Sequence, residues 1–318
     1  MQKMHNSIRV IIVDDCSKTD YSTVISLFNK MLDIKYIRLP SNVGSGKARQ
    51  IGIENSTGKY ICFVDSDDSF YNEYSVWMLY EKISKLNCEF VTGSFIREYE
   101  PNDDSQYPLS KIPQNQTWVF GRMFLRDFLV KKHICFNDMR FNEDVSFMQL
   151  CFAQSSNNEF IKNTVYVQHC NMDSITRSID SEFKKNASGM IKFVDALIYS
   201  HKKKRELGIV LSEKSLIQMC DGLAVCYWYF IQCLNENLNS ECELYLQHLQ
   251  EYYNLVTEDF KDILNSNTLK SSYFSSLYSM TDVANRYIPK ITFNDLLDDL
   301  ENNKNTIYTA SEYGYEVG

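Results

Sequence analysis

Two short apolar runs, each ending in a cluster of carboxylates, constrain the fold of this chain more than any other feature. Tyr60 to Val64 is an unbroken strand-forming run, and Asp65, Asp67 and Asp68 follow it at once. Ile8 to Val13 has the same character and runs into Asp14 and Asp15. Such runs are expected where a parallel sheet is covered on both faces. Ligands of open α/β sheets gather beyond the carboxyl ends of the strands. Carboxylates crowded there repel one another unless a cation or solvent relieves them. Their oxygens suit Mg2+ or Mn2+, which in turn can hold a diphosphate. Taken alone, an Asp-x-Asp-Asp is read equally well as a solvated acidic turn.

The segment between the two runs supports a sheet. Ser17 or Asp20 can cap a helix whose apolar positions Val24, Leu27, Phe28 and Met31 fall at helical spacing. Ile34 to Leu39 reads as a strand closed by Pro40, and the loop Ser41 to Gly46 precedes a helix from Lys47 to Asn55. Strand, helix, strand, helix, strand within about 60 residues calls for a parallel α/β sheet. A helix from Asn72 to Leu86 and a strand from Glu89 to Phe95 continue the alternation. Glu98 to Gln116, polar and with three prolines, reads as a surface loop.

After about Asp180 the character changes. Ile191, Val194 and Ile198 share one helical face, as do Leu216, Cys220, Leu223, Tyr227 and Leu234 in a later segment. The expected division is an α/β catalytic domain over 1–180 and an all-helical region over 181–318. The basic run His201 to Arg205 reads as a solvated face.

Composition removes several function classes. The net charge of −8 disfavours general nucleic-acid binding. The ten cysteines include no Cys-x-x-Cys pair, and several lie inside apolar runs. They read as reduced core residues of a cytoplasmic protein. The apolar run at the N-terminus is too short for a signal peptide, and no segment approaches the roughly 18 apolar residues of a membrane span.

Taken together, the motifs of the first 178 residues resemble glycosyltransferase family 2, inverting enzymes that use nucleotide sugars and have the A-type (GT-A) fold. The matching residues are Val13-Asp14-Asp15-Cys16-Ser17 with Asp20, and Asn42-Val43-Gly44 followed by Ala48-Arg49 and Gly52. Gly58-Lys59-Tyr60, Val64-Asp65-Ser66-Asp67-Asp68 and Gly121-Arg122-Met123-Phe124 come next, then Phe141-Asn142-Glu143-Asp144 and Asp173-Ser174-Ile175-Thr176.

The resemblance implies a role for each piece. Asp14 or Asp15 accepts an N–H of the donor's base, and Asn42 and Gly44 shape a turn that aims the next helix at the donor. Gly44 suits a turn because it tolerates backbone angles closed to other residues. Arg49 meets diphosphate oxygens, and Asp65 contacts the ribose. Asp67 and Asp68 hold Mn2+ or Mg2+, and Asp144 is the general base for the acceptor hydroxyl. The donor implied is a nucleotide sugar, a UDP-sugar above all, and the acceptor a glycan or glycolipid of a surface polysaccharide. The enzyme is expected in the cytoplasm, at the inner face of the membrane if it associates peripherally.

Blander readings stand beside these. Glu143 reads as a solvated or capping carboxylate. Trp118 is either an acceptor-stacking ring or, more in keeping with its type, a half-buried core aromatic. His169 either reaches a phosphate or the metal, or is structural. The family normally begins with a strand and helix ahead of the Val-Asp-Asp strand, whereas seven residues precede Ile8 here. The expectation is that this unit is absent and that Gln2 to Asn6 is the tail of its helix. The edge beside Ile8–Val13 would then be filled by another segment, covered by a second chain in an oligomer, or left to weaken the fold.

Two rivals remain. One is a transferase-like protein that binds a nucleotide or a partner and turns nothing over. The other is a phosphoacceptor receiver domain with Asp65 as the acceptor and Thr92 and Lys111 in support; it leaves Asn42-Val43-Gly44 and Arg49 unexplained.

Overall fold

A computed structural model describes residues 8–98, 117–139, 142–169, 182–211, 219, 222–223, 226 and 239–260. The chain divides into two compact units, Met1–Asp173 and Ser174–Gly318.

The first unit begins as the sequence pattern predicts. Strand β1 (Arg9–Asp14) leads through α1 (Ser22–Phe28) to β2 (Asp33–Arg38), and the two strands pair in parallel from Arg9↔Asp33 to Asp14↔Arg38. Among the described residues β1 pairs with β2 alone. Helix α2 (Ser45–Glu54) then leads to β3 (Tyr60–Ile61). The helix packs against β1, and its Ile53 lies in one core cluster with Phe63.

Three expectations need correction here. The run Ile8–Val13 is not buried on both faces: Ile8 is exposed and Val10 to Val13 are half-buried. The apolar face of α1 packs into no core among the described residues, since Val24, Leu27 and Phe28 are exposed and only Ile25 is buried, and Met31, also exposed, lies in the turn beyond the helix. In the acidic run, ladder pairing stops after Ile61, and Val64 is exposed beside a buried Phe63.

A second sheet has the order β3-β6-β5-β7-β4. Its members are β4 (Ser69–Phe70), β5 (Phe90–Arg97), β6 (Arg122–Leu125) and β7 (Asn158–Gln168). Strands β5 and β7 run parallel, whereas β6 lies antiparallel to both β3 and β5, and β4 antiparallel to β7. The sheet is therefore mixed, with parallel pairing at β1–β2 and β5–β7.

Alternation along the strands divides the core between the two faces. Phe90 and Phe124 point into a cluster with Phe128 and Leu129 of α4 (Arg126–Lys131) and Phe147, Met148 and Leu150 of α5 (Glu143–Gln154). Their chain neighbours Val91 and Met123 point the other way, onto Leu79 and Ile83 of α3 (Ser75–Leu86). A period of two is what a pleated strand covered on both faces requires. Cys16, Cys62, Cys88, Cys135, Cys151 and Cys226 are free thiols, and Cys88, Cys151 and Cys226 are buried.

In the second unit, α6 (Glu182–Glu206) and α7 (Asn239–Phe260) pack together. The buried face of α6 includes Val194, Leu197 and Ile198, and that of α7 Tyr245, Leu249, Tyr252 and Val256. The basic run on α6 is more than a solvated face. Lys202 pairs with Glu251 at 2.7 Å and Arg205 with Glu258 at 3.0 Å across the helix pair, while His201 and Lys204 are buried. In the segment expected to hold the later helix, Met219, Leu223 and Cys226 are buried, and the expected face positions Leu216, Cys220, Tyr227 and Leu234 lie outside the described residues.

The register of β5 against β7 shifts around Gly93, where a Cβ would lie 2.4 Å from Val165 Cγ2. Val165 is fully buried and has no room to retreat. Gly93→Ala is expected to cost about 1–3 kcal/mol by overpacking, read from urea denaturation, with Val165→Ala in the same background recovering part of it.

Candidate active site

The acidic groups converge where β1 and β3 end and where α2 and α5 begin, and nearly all are fastened by specific partners. Asp14 is buried. Its Oδ1 accepts the Ser17 N–H at 2.8 Å and its Oδ2 the Tyr36 hydroxyl at 2.6 Å. These bonds, the Tyr36 hydroxyl foremost, hold its carboxyl below the ordinary range. Asp15 clasps the following loop, accepting the Val43 N–H at 2.6 Å and the Gly44 N–H at 2.8 Å. The Asn42 side chain donates to the Asp15 carbonyl at 3.3 Å. Gly44 has φ 91°, the left-handed region that favours glycine, and its carbonyl accepts the Ala48 N–H of α2. The motif Asn42-Val43-Gly44 is thus the turn that launches α2, held by Asp15.

Arg49, one turn into α2, lies between two carboxylates. Its Nη2 donates to Asp65 Oδ1 at 2.6 Å and its Nη1 to Glu143 Oε1 at 2.7 Å. Burial works against its charge, but Asp65 and Glu143 outweigh it and hold the guanidinium's pKa above its ordinary value. Glu143 is neither solvated nor a simple cap, which corrects the reading from sequence. It is buried and accepts from both Arg49 and the Ser45 hydroxyl.

Asp144 follows it in the first turn of α5, with Oδ1 near its neighbour's Val145 N–H at 2.9 Å. Burial, reinforced by the charge of Glu143 and opposed by Arg49, raises its carboxyl to about 7. A carboxylate poised near neutrality has the proton affinity a general base needs.

The loop after β3 is held from β7 by a residue the motif pattern did not single out. Tyr166 is fully buried; its hydroxyl accepts the Asp65 N–H at 3.1 Å and donates to Asp68 Oδ2 at 2.9 Å. The other oxygen of Asp68 accepts the His169 N–H at 3.0 Å. Burial raises the Asp68 carboxyl against these two bonds. His169 lies between Ser69, at 2.8 Å from Nε2, and Glu98, at 2.9 Å from Nδ1. Asp67 is exposed at the tip of the turn.

Trp118 packs as a core aromatic: it stacks on Phe120 at 5.6 Å, and the Arg97 guanidinium lies 4.7 Å from its ring. Arg122, of the Gly121-Arg122-Met123-Phe124 motif, is buried, donating to the Trp118 carbonyl and to Thr92 Oγ1. Burial lowers its pKa to about 10. Thr92 is therefore committed to Arg122, which removes the support the receiver reading asked of it; Lys111 and Asp173 to Thr176 lie outside the described residues.

Among the described residues no three His, Cys, Asp or Glu side chains form a ready metal cage. The donor set fits the other way a hard divalent cation is held, by one or two carboxylates completed with substrate phosphate. Asp67 presents an exposed carboxylate for that role, while the oxygens of Asp68 face Tyr166 and His169.

The architecture is the GT-A-like α/β fold. A crystal structure of residues 1–349 of Staphylococcus aureus TarS in complex with UDP-GlcNAc superposes with a TM-score of 0.57 at 14% identity, covering 89% of this chain and 84% of that one. Residues 2–143 match the model of glycosyl transferase family 2.

Among curated relatives, an uncharacterised glycosyltransferase of Rickettsia felis is 42% identical over 69 residues, 22% of this chain and 11% of that protein. Glycosyltransferase GlyG of Streptococcus pneumoniae is 24% identical over 202 residues, 56% of this chain and 66% of GlyG. Poly(ribitol-phosphate) β-N-acetylglucosaminyltransferase TarS of S. aureus is 29% identical over 104 residues, 29% of this chain and 18% of TarS. The chain thus matches less than two thirds of each of these relatives.

Removing the Tyr166 hydroxyl leaves the Asp65 N–H and one Asp68 oxygen without their partner. Tyr166→Phe is expected to cost about 1–3 kcal/mol, measured by chemical denaturation. A loss below about 0.5 kcal/mol, the level of an ordinary surface change, would show that the hydroxyl does not hold this loop.

Proposed function

We propose that this chain is a metal-dependent, inverting glycosyltransferase that moves a sugar from a nucleoside diphosphate donor to a hydroxyl of a surface glycan or glycolipid. The observation that carries this reading is the convergence at the strand ends of a charged Arg49 with Asp65, Glu143 and a near-neutral Asp144. A fixed cation suits a diphosphate leaving group, and a carboxylate that exchanges its proton near pH 7 suits deprotonation of a sugar hydroxyl. A UDP-sugar is the favoured donor, because the structural neighbour TarS was solved with UDP-GlcNAc.

In this reading Asp14 and Asp15 lie beside the donor's base, and Asn42 and Gly44 set the direction of α2. Arg49 uses its remaining N–H groups on the diphosphate while Asp65 holds the guanidinium and faces the ribose. Asp67 would hold Mn2+ or Mg2+, with Asp68 oriented by Tyr166 and His169 behind it. The metal, when bound, supplies Lewis-acid stabilisation of the leaving diphosphate. Asp144 takes the proton of the acceptor hydroxyl as it attacks from the face opposite the leaving group, so no covalent intermediate is needed. Among the described residues no helix is long and apolar enough to cross a membrane; a cytoplasmic site at the inner membrane face is the placement this acceptor class suggests.

One observation favours a second reading, a transferase-like protein that binds a nucleotide without turnover. Both oxygens of Asp14 and both of Asp15 already accept hydrogen bonds from within the protein. A panel of nucleotide sugars with Mn2+, scored for binding and for donor hydrolysis or transfer, separates the two readings. Binding without product on every acceptor offered would favour the second.

Two substitutions test the assignments. Asp67→Asn is expected to abolish Mn2+-dependent UDP binding in calorimetric titration while the protein stays folded; unchanged affinity would end the metal role of Asp67. Asp144→Asn is expected to keep donor binding and to lower transfer by about 10²–10⁴-fold, the usual contribution of a general base. Because the base acts only when ionised, wild-type transfer should fall as pH drops through about 7. A rate flat from pH 5.5 to 8, or Asp144→Asn within a few-fold of wild type, would remove Asp144 from the chemistry.

A further inference from the structure

The helix carrying the base and the helix aimed at the donor are joined at their first turns by one buried carboxylate. Glu143 lies in the first turn of α5, is 7% exposed, and accepts from Arg49 Nη1 at 2.7 Å and from the Ser45 hydroxyl. The approach of the two helices leaves no room for a side chain at Gly46. A Cβ there would lie 2.8 Å from Glu143 Cγ, 2.9 Å from Glu143 Cβ and 3.1 Å from the Asn137 carbonyl oxygen. Further bonds brace the same corner. Asn137 Nδ2 donates to Ser146 Oγ at 2.8 Å, Ser146 Oγ donates to the Glu143 carbonyl at 3.0 Å, and Gln50 Oε1 accepts the Phe136 N–H at 3.2 Å.

We propose that Glu143 is a positioning residue for donor binding: it fixes Arg49 in the plane from which the guanidinium meets the diphosphate, while its neighbour Asp144 performs the proton transfer. This rests on the glycosyltransferase reading and extends it to a residue that reading leaves without a role. The chemistry is that of a fork held by one tine. A free arginine side chain has many rotamers, and one whose Nη1 is anchored in a buried, charge-assisted bond has few. Fixing it beforehand removes an ordering cost from ligand binding. Asp65 alone would not suffice, because it belongs to the loop that meets the donor, whereas Glu143 stands on a packed helix. Ser45 and Gly46 complete the arrangement, the first by a hydrogen bond to the same oxygen and the second by making room.

The test is a double-substitution cycle read as the calorimetric Kd of UDP in the presence of Mn2+, on the full chain. Glu143→Gln keeps the shape and removes the charge. In the wild-type background it is expected to weaken UDP about tenfold, and in the Arg49→Gln background by less than about twofold, since residues that act through one another are not additive. Glu143→Asp, which keeps the charge on a shorter stem, should recover part of the lost affinity. A carboxylate that only stabilises the fold would lower the melting temperature without this pattern. Equal weakening in both backgrounds, or no weakening in either, would overturn the proposal. If Glu143→Gln does not fold, Glu143→Asp is taken through the same cycle with the same criterion. Failure of the wild-type chain to bind UDP or any nucleotide sugar would overturn the glycosyltransferase reading and this inference with it. Wild-type binding with an additive cycle would overturn the inference alone.

Discussion

The ion triad Asp65–Arg49–Glu143 is the interaction on which the rest of the site depends. Each member comes from a different element: the loop after β3, α2, and α5. Without the arginine, Asp65, Glu143 and the adjacent Asp144 would place three like charges around one partly buried corner. Removing one partner of a buried pair leaves an uncompensated charge and typically costs about 3–5 kcal/mol. The triad is therefore weak evidence for net stability and strong evidence for a fixed geometry. It also adjusts the proton affinity of Asp144, which burial foremost and then Glu143 raise and Arg49 lowers. Under the proposed function, one guanidinium orders the donor side and tunes the acceptor side.

The second sheet serves this arrangement from behind. Strand β7 lies parallel to β5, carries Tyr166 and leads directly into His169 under the loop that leaves β3, so the acidic turn is held from about a hundred residues further along the chain. The aromatic column Trp118, Phe120 and Tyr166 gives that strand a rigid base, with Phe120 and Tyr166 stacked at 4.8 Å. The hydroxyl at the end of this column bonds the Asp65 N–H and Asp68 Oδ2 at once, and so fixes the two ends of the acidic turn.

What could be read from sequence was what is local. The strand at Arg9–Asp14, the turn at Asn42-Val43-Gly44 and the helix bearing Arg49 each carry their signal within a few residues and formed where expected, whereas the acidic run pairs only over Tyr60–Ile61. The mixed pairing of the second sheet was not legible, because β6 inserts between β3 and β5 after a long connection and no periodicity records strand order. Glu143 was misread for a related reason. Its neighbours in sequence are those of an exposed helix start, and only the approach of α2, permitted by Gly46, buries it. Tyr166 carried no signal beyond being one tyrosine in an alternating strand. The exposed apolar positions of α1 show the converse, a helical pattern read correctly whose packing the pattern does not specify.

The central claim is that the strand ends form a nucleotide-sugar site organised by Arg49. The most direct measurement is a crystal structure of the chain with UDP-GlcNAc and Mn2+. The account predicts diphosphate oxygens against the Arg49 guanidinium, Mn2+ on Asp67, the uracil beside Asp14 and Asp15, and the Asp144 carboxylate open to an acceptor. Nucleotide bound elsewhere, or Arg49 left on Asp65 and Glu143 with the diphosphate held by other groups, would contradict it.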